Sequence, residues 1–252
     1  PTNAVGGATI RPAVTVRIED ANGNLVTTDN TTTVTLAIGT NPGSGTLTGG
    51  GAATASGGIA TFSGLSINKS GTGYTLGASS SPVLTAATSS AFNITAGSAT
   101  KLAYTTVPST GTAGTAFSVT VESQDVNGNA SNLVAASTTI TLTKATGGGS
   151  LSGTLTGTIA SGASSVTIAT PVYSKSDAMT LTATASGGDV LTAVTSGSIT
   201  FSAGAATKLA FLQQPTSAVG GATISPAVTV RIEDANGNLV TTDNTTTVTL
   251  AF

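Results

Sequence analysis

Residues 13–26 read "AVTVRIEDANGNLV", and the same stretch returns at 227–240, with a looser copy of its second half, "QDVNGNAS", at 124–131. Val14, Val16 and Ile18 alternate with polar residues, and this alternation predicts a strand with one buried face. Asn-Gly follows, and between strands this pair is the strongest short signal for a tight turn, because both residues can adopt a positive φ. The stretch therefore predicts a β-hairpin that occurs three times in the chain.

A longer repeat organises the whole chain. Residues 1–38 recur at 215–252 with three substitutions, and "ATKLAYTTVP" at 99–108 matches "ATKLAFLQQP" at 206–215. The resulting period of about 107 residues equals a small domain and is too long for a solenoid repeat. We expect an array that continues beyond both ends of this sequence. Its predicted repeats are 1–98, a first type lacking its first strand; 99–205, a complete second type; and 206–252, the opening of another first-type repeat.

The composition excludes several kinds of site. Cys and His are absent, so zinc sites and nucleophile systems that need them cannot form. Ten acidic residues stand against 8 basic ones, for a net charge of −2, which is far from the basic footprint of a nucleic-acid-binding protein. Hydrophobic residues make up 38% of the chain, and no apolar run is long enough for a membrane-spanning helix. We expect no enzyme activity, no nucleic-acid partner and no membrane insertion of this segment.

Each repeat contains a series of strand-like runs. In the first repeat, "TTTVTLAI", "IATFSGLSI", "YTLGAS" and "SAFNIT" follow the hairpin, separated by turn residues. With "KLAFLQQ" as the opening strand, this gives about seven strands in about 100 residues, the pattern of an immunoglobulin-like sandwich. The sequence therefore predicts an all-β fold: tandem immunoglobulin-like β-sandwich domains of about 107 residues, arranged end to end.

The order of these motifs resembles the bacterial immunoglobulin-like repeats of large surface adhesins, including invasin- and intimin-type arrays. The resemblance covers essentially the whole chain. It implies an extracellular, cell-surface stalk, fibre or filament whose recognition tip is a separate domain, with neighbouring repeats of the same polypeptide as partners. Lateral self-association into fibres is a further expectation, because the surface carries few charges. The alternatives are a module that binds glycan or host protein, and a spacer of a large secreted hydrolase.

The DxNGN stretch also resembles the start of a calcium loop. Asp20, Asn22 and Asn24 occupy alternating positions, as in an EF-hand. However, Leu25 stands where that loop needs Gly, and Thr31 stands where it needs a bidentate Glu. The shared element of both repeat types is the turn, so we predict a structural role and no cofactor, with calcium as the alternative. The predicted turn residues are Asn22, Gly23, Asn127, Gly128, Asn236 and Gly237.

Two further residues are candidates for the core. Tyr74, in "GTGYTL", resembles the tyrosine corner of immunoglobulin-like sandwiches, in which the hydroxyl binds upstream backbone. The matching residue of the second repeat is Met179, which cannot form such a bond. We expect both side chains to be buried without a binding role.

Overall fold

The structure is a computed structural model that describes residues 1–133 and 136–251, and its regular elements are strands. The predicted all-β fold class is therefore confirmed. Val134, Ala135 and Phe252 belong to the predicted second and third repeats but lie outside the described residues. Within the described part of the chain, no helix is long and apolar enough to cross a bilayer.

The first repeat surrounds a buried core with four groups of paired strands. A three-stranded sheet has the order β1-β11-β8, a four-stranded sheet has the order β10-β9-β3-β5, and β2 pairs with β6 and β4 with β7. Most pairs are antiparallel, whereas β1 runs parallel to β11. The strands are β1 (Ala4–Val5), β2 (Val14–Arg17), β3 (Thr33–Ile38), β4 (Leu47–Thr48), β5 (Ala53–Thr54), β6 (Ile59–Phe62), β7 (Ser66–Ile67), β8 (Gly71–Tyr74), β9 (Leu76–Ser81), β10 (Ala87–Thr88) and β11 (Phe92–Thr95).

The second repeat follows a similar plan, but it has a first strand, β12, that the first repeat lacks, and one continuous strand, β20, where the first repeat has β8 and β9. Its first strand, β12, pairs with β14, and β14 pairs with β18 on its other edge; the opposing sheet runs β13-β22-β20-β15-β17. The strands are β12 (Lys101–Thr106), β13 (Thr110–Thr112), β14 (Val119–Gln124), β15 (Thr138–Thr146), β16 (Leu151–Gly153), β17 (Thr156–Ile159), β18 (Ser165–Ile168), β19 (Pro171–Tyr173), β20 (Ala178–Ser186), β21 (Val194–Thr195) and β22 (Ile199–Ser202). The immunoglobulin-like arrangement of paired sheets is thus present in both repeats.

The third segment contributes one hairpin. Strand β23 (Ala206–Gln213) pairs antiparallel with β24 (Thr229–Asp234). Together the described residues form two compact units: Pro1–Thr100 with Gln124–Asn132, and Lys101–Ser123 with Leu133–Phe252. The turn of the second repeat thus belongs to the unit built by the first repeat, which bears directly on its role.

The core of each repeat follows from strand alternation. Val34 and Leu36 on β3 are buried, whereas the alternating residues Thr35 and Ala37 are exposed, as the period-two pattern predicts. Tyr74 and Met179 are both fully buried, and the Tyr74 hydroxyl donates to the Lys69 carbonyl at 2.9 Å. In the second repeat, Tyr173 replaces that aromatic ring from another strand, and its hydroxyl donates to Asp177 Oδ1 at 2.7 Å.

Candidate functional site

The candidate site is the DxNGN turn, which occurs at 20–24, 125–129 and 234–238. In the second copy, Asp125 Oδ1 accepts the backbone N–H groups of Asn127 and Asn129, both at 2.9 Å. The Gly128 N–H donates to the Asp125 carbonyl at 3.1 Å and closes the turn. The carboxylate therefore replaces backbone partners that a tight turn leaves unpaired, as Asp does at the first position of many turns.

Only the glycine of each turn has a positive φ: 81° at Gly23, 74° at Gly128 and 84° at Gly237. The sequence predicts that the asparagines can adopt it too, but Asn22, Asn127 and Asn236 do not. In each copy, the glycine N–H donates to the carbonyl of the aspartate three residues earlier, so aspartate is the first and glycine the fourth residue of the turn. The positive φ therefore falls on the glycine that ends the turn and not on the asparagine before it. This is the geometry of a turn followed by a left-handed residue in a longer hairpin loop. The asparagine side chains serve another purpose.

Asn129 binds the backbone of the repeat that precedes it in the sequence. Its Nδ2 donates to the Asn68 carbonyl at 3.0 Å, and its Oδ1 accepts the Ser70 N–H at 2.9 Å. The second Nδ2 hydrogen is donated to Asp125 Oδ2 at 2.9 Å. Asp125 Oδ2 also accepts the Gly97 N–H at 2.9 Å. All these atoms lie in the first compact unit, so the turn forms part of that unit although it belongs to the next repeat.

The third copy of the turn makes the same contacts in the second unit. Asn238 Nδ2 donates to the Ser174 carbonyl at 2.9 Å, and its Oδ1 accepts the Ser176 N–H at 2.9 Å. Asp234 Oδ2 accepts the Gly204 N–H at 2.8 Å. Asn68 and Ser174 differ as side chains, but their carbonyl groups have the same role. The same pattern of bonds is thus formed twice by two different pairs of repeats.

The copies at 125–129 and 234–238 are called seated turns, because each is hydrogen-bonded to the preceding repeat. Two glycines leave room for the first asparagine of each seated turn. Gly7 has a φ of 79°, and a Cβ added there would lie 2.8 Å from Asn127 Nδ2. Gly114 also has a φ of 79°, and its Cβ would lie 2.5 Å from Asn236 Nδ2. Asn127 uses this space to donate from Nδ2 to the Gly6 carbonyl at 2.8 Å. Both the backbone conformation and the close approach therefore require glycine at these positions.

The first copy of the turn has the same internal geometry, but it is exposed. Asp20 Oδ1 accepts the N–H groups of Asn22 and Asn24 at 2.9 Å, and Asn24 Nδ2 donates to Asp20 Oδ2 at 3.0 Å. In contrast, Asp125 and Asp234 are buried in the seated copies. The turn is therefore formed in the same way whether or not it is seated, which limits the conformational entropy that seating removes.

Electrostatics favour an ionised aspartate in the seated turns. Burial is the largest influence on the pKa of Asp125 and raises it, but the hydrogen bonds from Asn129, Gly97 and Asn127 together outweigh burial and lower that pKa below its ordinary value. The pKa of Asp234 is lowered for the same reasons. The positively charged side chain of Lys69 also lies at the first seated turn, where its Nζ donates to the Asn127 carbonyl at 2.7 Å.

The candidate calcium residues are engaged within the turn. Both carboxylate oxygens of Asp20 accept hydrogen bonds from Asn22 and Asn24, and side-chain donation by Asn24 is the largest cause of the lowered pKa of Asp20. Asp29 Oδ2 accepts the Thr32 hydroxyl at 2.6 Å. In residues 1–133 and 136–251, no group of three or more His, Cys, Asp or Glu side chains is placed to hold a metal ion. Calcium binding by the exposed turn stays a hypothesis.

The residues that receive the turn carry a weak sequence signal. "NKS" at 68–70 and "SKS" at 174–176 both precede the strand that ends in the buried Tyr74 or contains Met179. Gly97 and Gly204 occupy equivalent positions just before each "ATKLA". Because the groups used are backbone N–H and C=O, the letters alone do not reveal their function.

Surface-layer and adhesin structures are among the solved structures that are similar to this chain. The chain is similar to domains 4–9 of the surface-layer protein SbsC, with 17% identity and a TM-score of 0.28, over 89% of this chain and 31% of that one. It is similar to the Yersinia pseudotuberculosis adhesin InvE, with 18% identity and a TM-score of 0.30, over 79% of this chain and 56% of that one. It is also similar to the Escherichia coli adhesin FdeC, with 21% identity and a TM-score of 0.34, over 96% of this chain and 74% of that one.

Bacterial adhesins are thus among the similar structures, as the sequence resemblance predicts. The chain spans less than a third of the surface-layer structure and just over half of the InvE structure. No protein-family model matches the chain, and no curated protein sequence matches it. The immunoglobulin-like fold is inferred from the strand order and strand pairing of the two repeats.

Proposed function

We propose that this chain is a structural segment of an extracellular bacterial surface stalk, fibre or filament, in which it acts as a spacer and adhesive scaffold. The observation that supports this function is the seated DxNGN turn. In each compact unit, the turn of one repeat is bonded to the backbone of the repeat before it. A spacer needs such bonds, because a chain of freely jointed domains transmits neither length nor force reliably.

The seated turns supply this restraint through buried polar groups. Asn129 and Asn238 are almost fully buried, and each forms three side-chain hydrogen bonds. Leaving a buried donor or acceptor unpaired costs about 1–3 kcal/mol for each group. Lifting a turn away from its repeat would expose or unpair several such groups at once. We therefore propose that the turns limit how far successive repeats swing.

Scattering by the full chain tests the spacer function. We expect the double variant Asn129→Ala with Asn238→Ala to show a larger radius of gyration and a flatter high-angle Kratky profile, because both seated turns are released. The matched control is Asn24→Ala, which alters the exposed copy and should scatter like the unmodified chain. Equal profiles for the double variant and the control would contradict the role of the turns.

Two further measurements test location and the competing function. Antibodies against the chain should label the outside of intact producing cells in electron micrographs; labelling confined to the cell interior would contradict a surface role. A glycan array probed with the full chain should give no reproducible binding. Micromolar binding to a defined glycan would instead support an adhesin module that recognises its ligand directly.

A further inference from the structure

The seated turn at 125–129 contains an Asn-Gly pair with a reactivity of its own. Asparagine is a chemically labile residue, and the residue that follows it decides how readily its side chain cyclises. Glycine permits this best, because it has no Cβ to hinder the approach of its backbone nitrogen to the asparagine Cγ. Asn127 and Gly128 form such a pair in a turn that is bonded to the preceding repeat. The seat therefore encloses a site at which a covalent change needs no enzyme.

The reaction exchanges one amide for another and then consumes water. The Gly128 nitrogen loses its proton and forms a bond to Asn127 Cγ, while the bond from Cγ to Nδ2 breaks and that nitrogen leaves as ammonia. Water then opens the cyclic imide. Cleavage of the new bond to Cγ gives aspartate, and cleavage of the original peptide bond gives iso-aspartate, whose main chain runs through Cγ. The steps balance without an oxidant, a reductant or a cofactor.

The seat holds the Asn127 side chain in place. Its Nδ2 donates to the Gly6 carbonyl at 2.8 Å, and expulsion of this nitrogen would break that bond. The Gly7 backbone also lies against the side-chain amide, since a Cβ added there would be 2.8 Å from Nδ2 and 3.4 Å from Cγ. Ring closure moves Cγ toward the next residue of the turn, so it requires Asn127 to leave Gly6.

The peptide group that joins Asn127 to Gly128 is fixed at both of its polar atoms. Its carbonyl accepts Lys69 Nζ at 2.7 Å, and its N–H donates to the Asp125 carbonyl at 3.1 Å. Lys69 Nζ also donates to the Gly128 carbonyl at 3.2 Å. The attacking nitrogen must lose its proton and turn toward Cγ, and these bonds oppose both changes. The seated turn is thus held away from the reactive geometry.

Neither product fits the seat that Asn127 occupies. An aspartate at position 127 has no amide hydrogen to donate to the Gly6 carbonyl, and it adds a second carboxylate two residues after Asp125. Iso-aspartate inserts an extra carbon atom into the main chain of the turn. The bonds from Asn129 to Asn68 and Ser70 depend on the spacing that this insertion changes. Modification therefore prevents the turn from seating again.

We propose that Asn127 is a site of spontaneous modification, protected while its turn is seated and converted to aspartate or iso-aspartate after the turn is released. Only the released fraction reacts, so the rate follows the local opening equilibrium. A reversible opening thereby becomes permanent, and the modified fraction records how long the turn has been released. This inference rests on the seated turn that the proposed function uses.

Peptide mapping by mass spectrometry, with chromatographic separation of iso-aspartate, measures the reaction in the full chain. The reference is the free peptide QDVNGNAS, which has the sequence of residues 124–131. In mildly alkaline buffer, Asn127 should react at least about tenfold more slowly in the chain than in the peptide, because release breaks several hydrogen bonds. Asn129→Ala removes the bonds to Asn68 and Ser70 and should raise the Asn127 rate toward that of the peptide.

Asn238→Ala is the matched control, because it releases the turn of the other compact unit. It should leave the Asn127 rate unchanged and raise the Asn236 rate, since the pair Asn236-Gly237 lies in that turn. Hydrogen exchange of the β3–β9 amides shows whether Asn129→Ala keeps the first unit folded. If that variant unfolds, the comparison with the peptide still decides, because it needs no variant. Equal Asn127 rates in the unmodified chain and the peptide, or an unchanged rate in folded Asn129→Ala, would overturn the proposal.

The variant Asn127→Asp reproduces one product and tests whether release is permanent. The Ser70 amide should exchange faster in this variant than in the unmodified chain, because the turn no longer seats on it. Asn22→Asp makes the same change in the turn at 20–24 and should leave the Ser70 amide protected. Equal protection of Ser70 in the two variants would contradict the permanence of release.

Scattering separates this inference from the proposed function. If Asn129→Ala with Asn238→Ala expands the chain but the Asn127 rate stays unchanged, the modification site is refuted and the spacer role stands. If the Asn127 rate rises but the chain does not expand, the spacer role of the turns is refuted and the modification site stands.

Discussion

Replacing Asn129 by Ala should destabilise the first compact unit by about 2.5–6 kcal/mol. The side chain loses two neutral hydrogen bonds, to the Asn68 carbonyl and from the Ser70 N–H, worth about 0.5–1.5 kcal/mol each. It also loses the bond to the Asp125 carboxylate, worth about 1.5–3 kcal/mol. Because Asn129 is buried, water does not freely replace it. Ser70 and Asn68 are left with unpaired backbone groups at the same time.

Urea unfolding followed by hydrogen exchange measures this effect locally. With a slope of about 2 kcal/mol per molar urea, the midpoint for peptides of the first unit should fall by about 2 M. The Ser70 amide should also lose its protection, since its acceptor is gone. Asn24→Ala is the control, because the same residue in the exposed turn binds no preceding repeat. If Asn129→Ala shifts the midpoint no more than Asn24→Ala, the seated turn does not stabilise the unit.

Three other outcomes are expected. Gly114→Ala should destabilise the second unit more than Gly162→Ala in thermal melts, because both glycines have φ near 80° but only Gly114 has Asn236 within contact of an added Cβ; equal melts would contradict the close fit. Because folding lowers the pKa of Asp125 and of Asp234, their ionised carboxylates stabilise the folded state at pH values above the ordinary carboxyl pKa of 3.8. This stabilisation is lost as the pH falls through the folded-state pKa. The urea midpoint should therefore stay constant from pH 8 to pH 5 and decrease once the pH is below about 4. A midpoint that stays constant down to pH 2 would refute this. Chelator and millimolar calcium should leave the melting temperature unchanged, because the Asp20 carboxylate is engaged within its turn; a fall of several degrees in chelator would support the calcium hypothesis.

The fold could be predicted because its signals are local and repeated. Alternation in Val14–Ile18 and the Asn-Gly pair give strand and turn directly, and the offset between copies defines the repeats. The absence of helical segments removes the competing classes. These inferences need no knowledge of which residues meet across the molecule.

The seating of the turn could not be predicted in the same way. Asn129 binds main-chain groups of Asn68 and Ser70, about sixty residues earlier, and main-chain groups leave no mark in the sequence. A clue was present, since the second asparagine persists in both repeat types although a β-turn alone does not need it.

The replacement of Tyr74 by Tyr173 in the core of the second repeat was hidden for a different reason. Matching position with position pairs Tyr74 with Met179, whereas the core is filled in three dimensions from neighbouring strands.

Recognition through main-chain atoms has an evolutionary consequence. The carbonyl of Asn68 and that of Ser174 serve equally well, so mutation can change either side chain without disturbing the turn seated on it. A gene encoding such units can gain or lose copies by unequal crossing-over, and every new boundary joins parts that already fit. Natural selection can then adjust the number of units separately from their sequence.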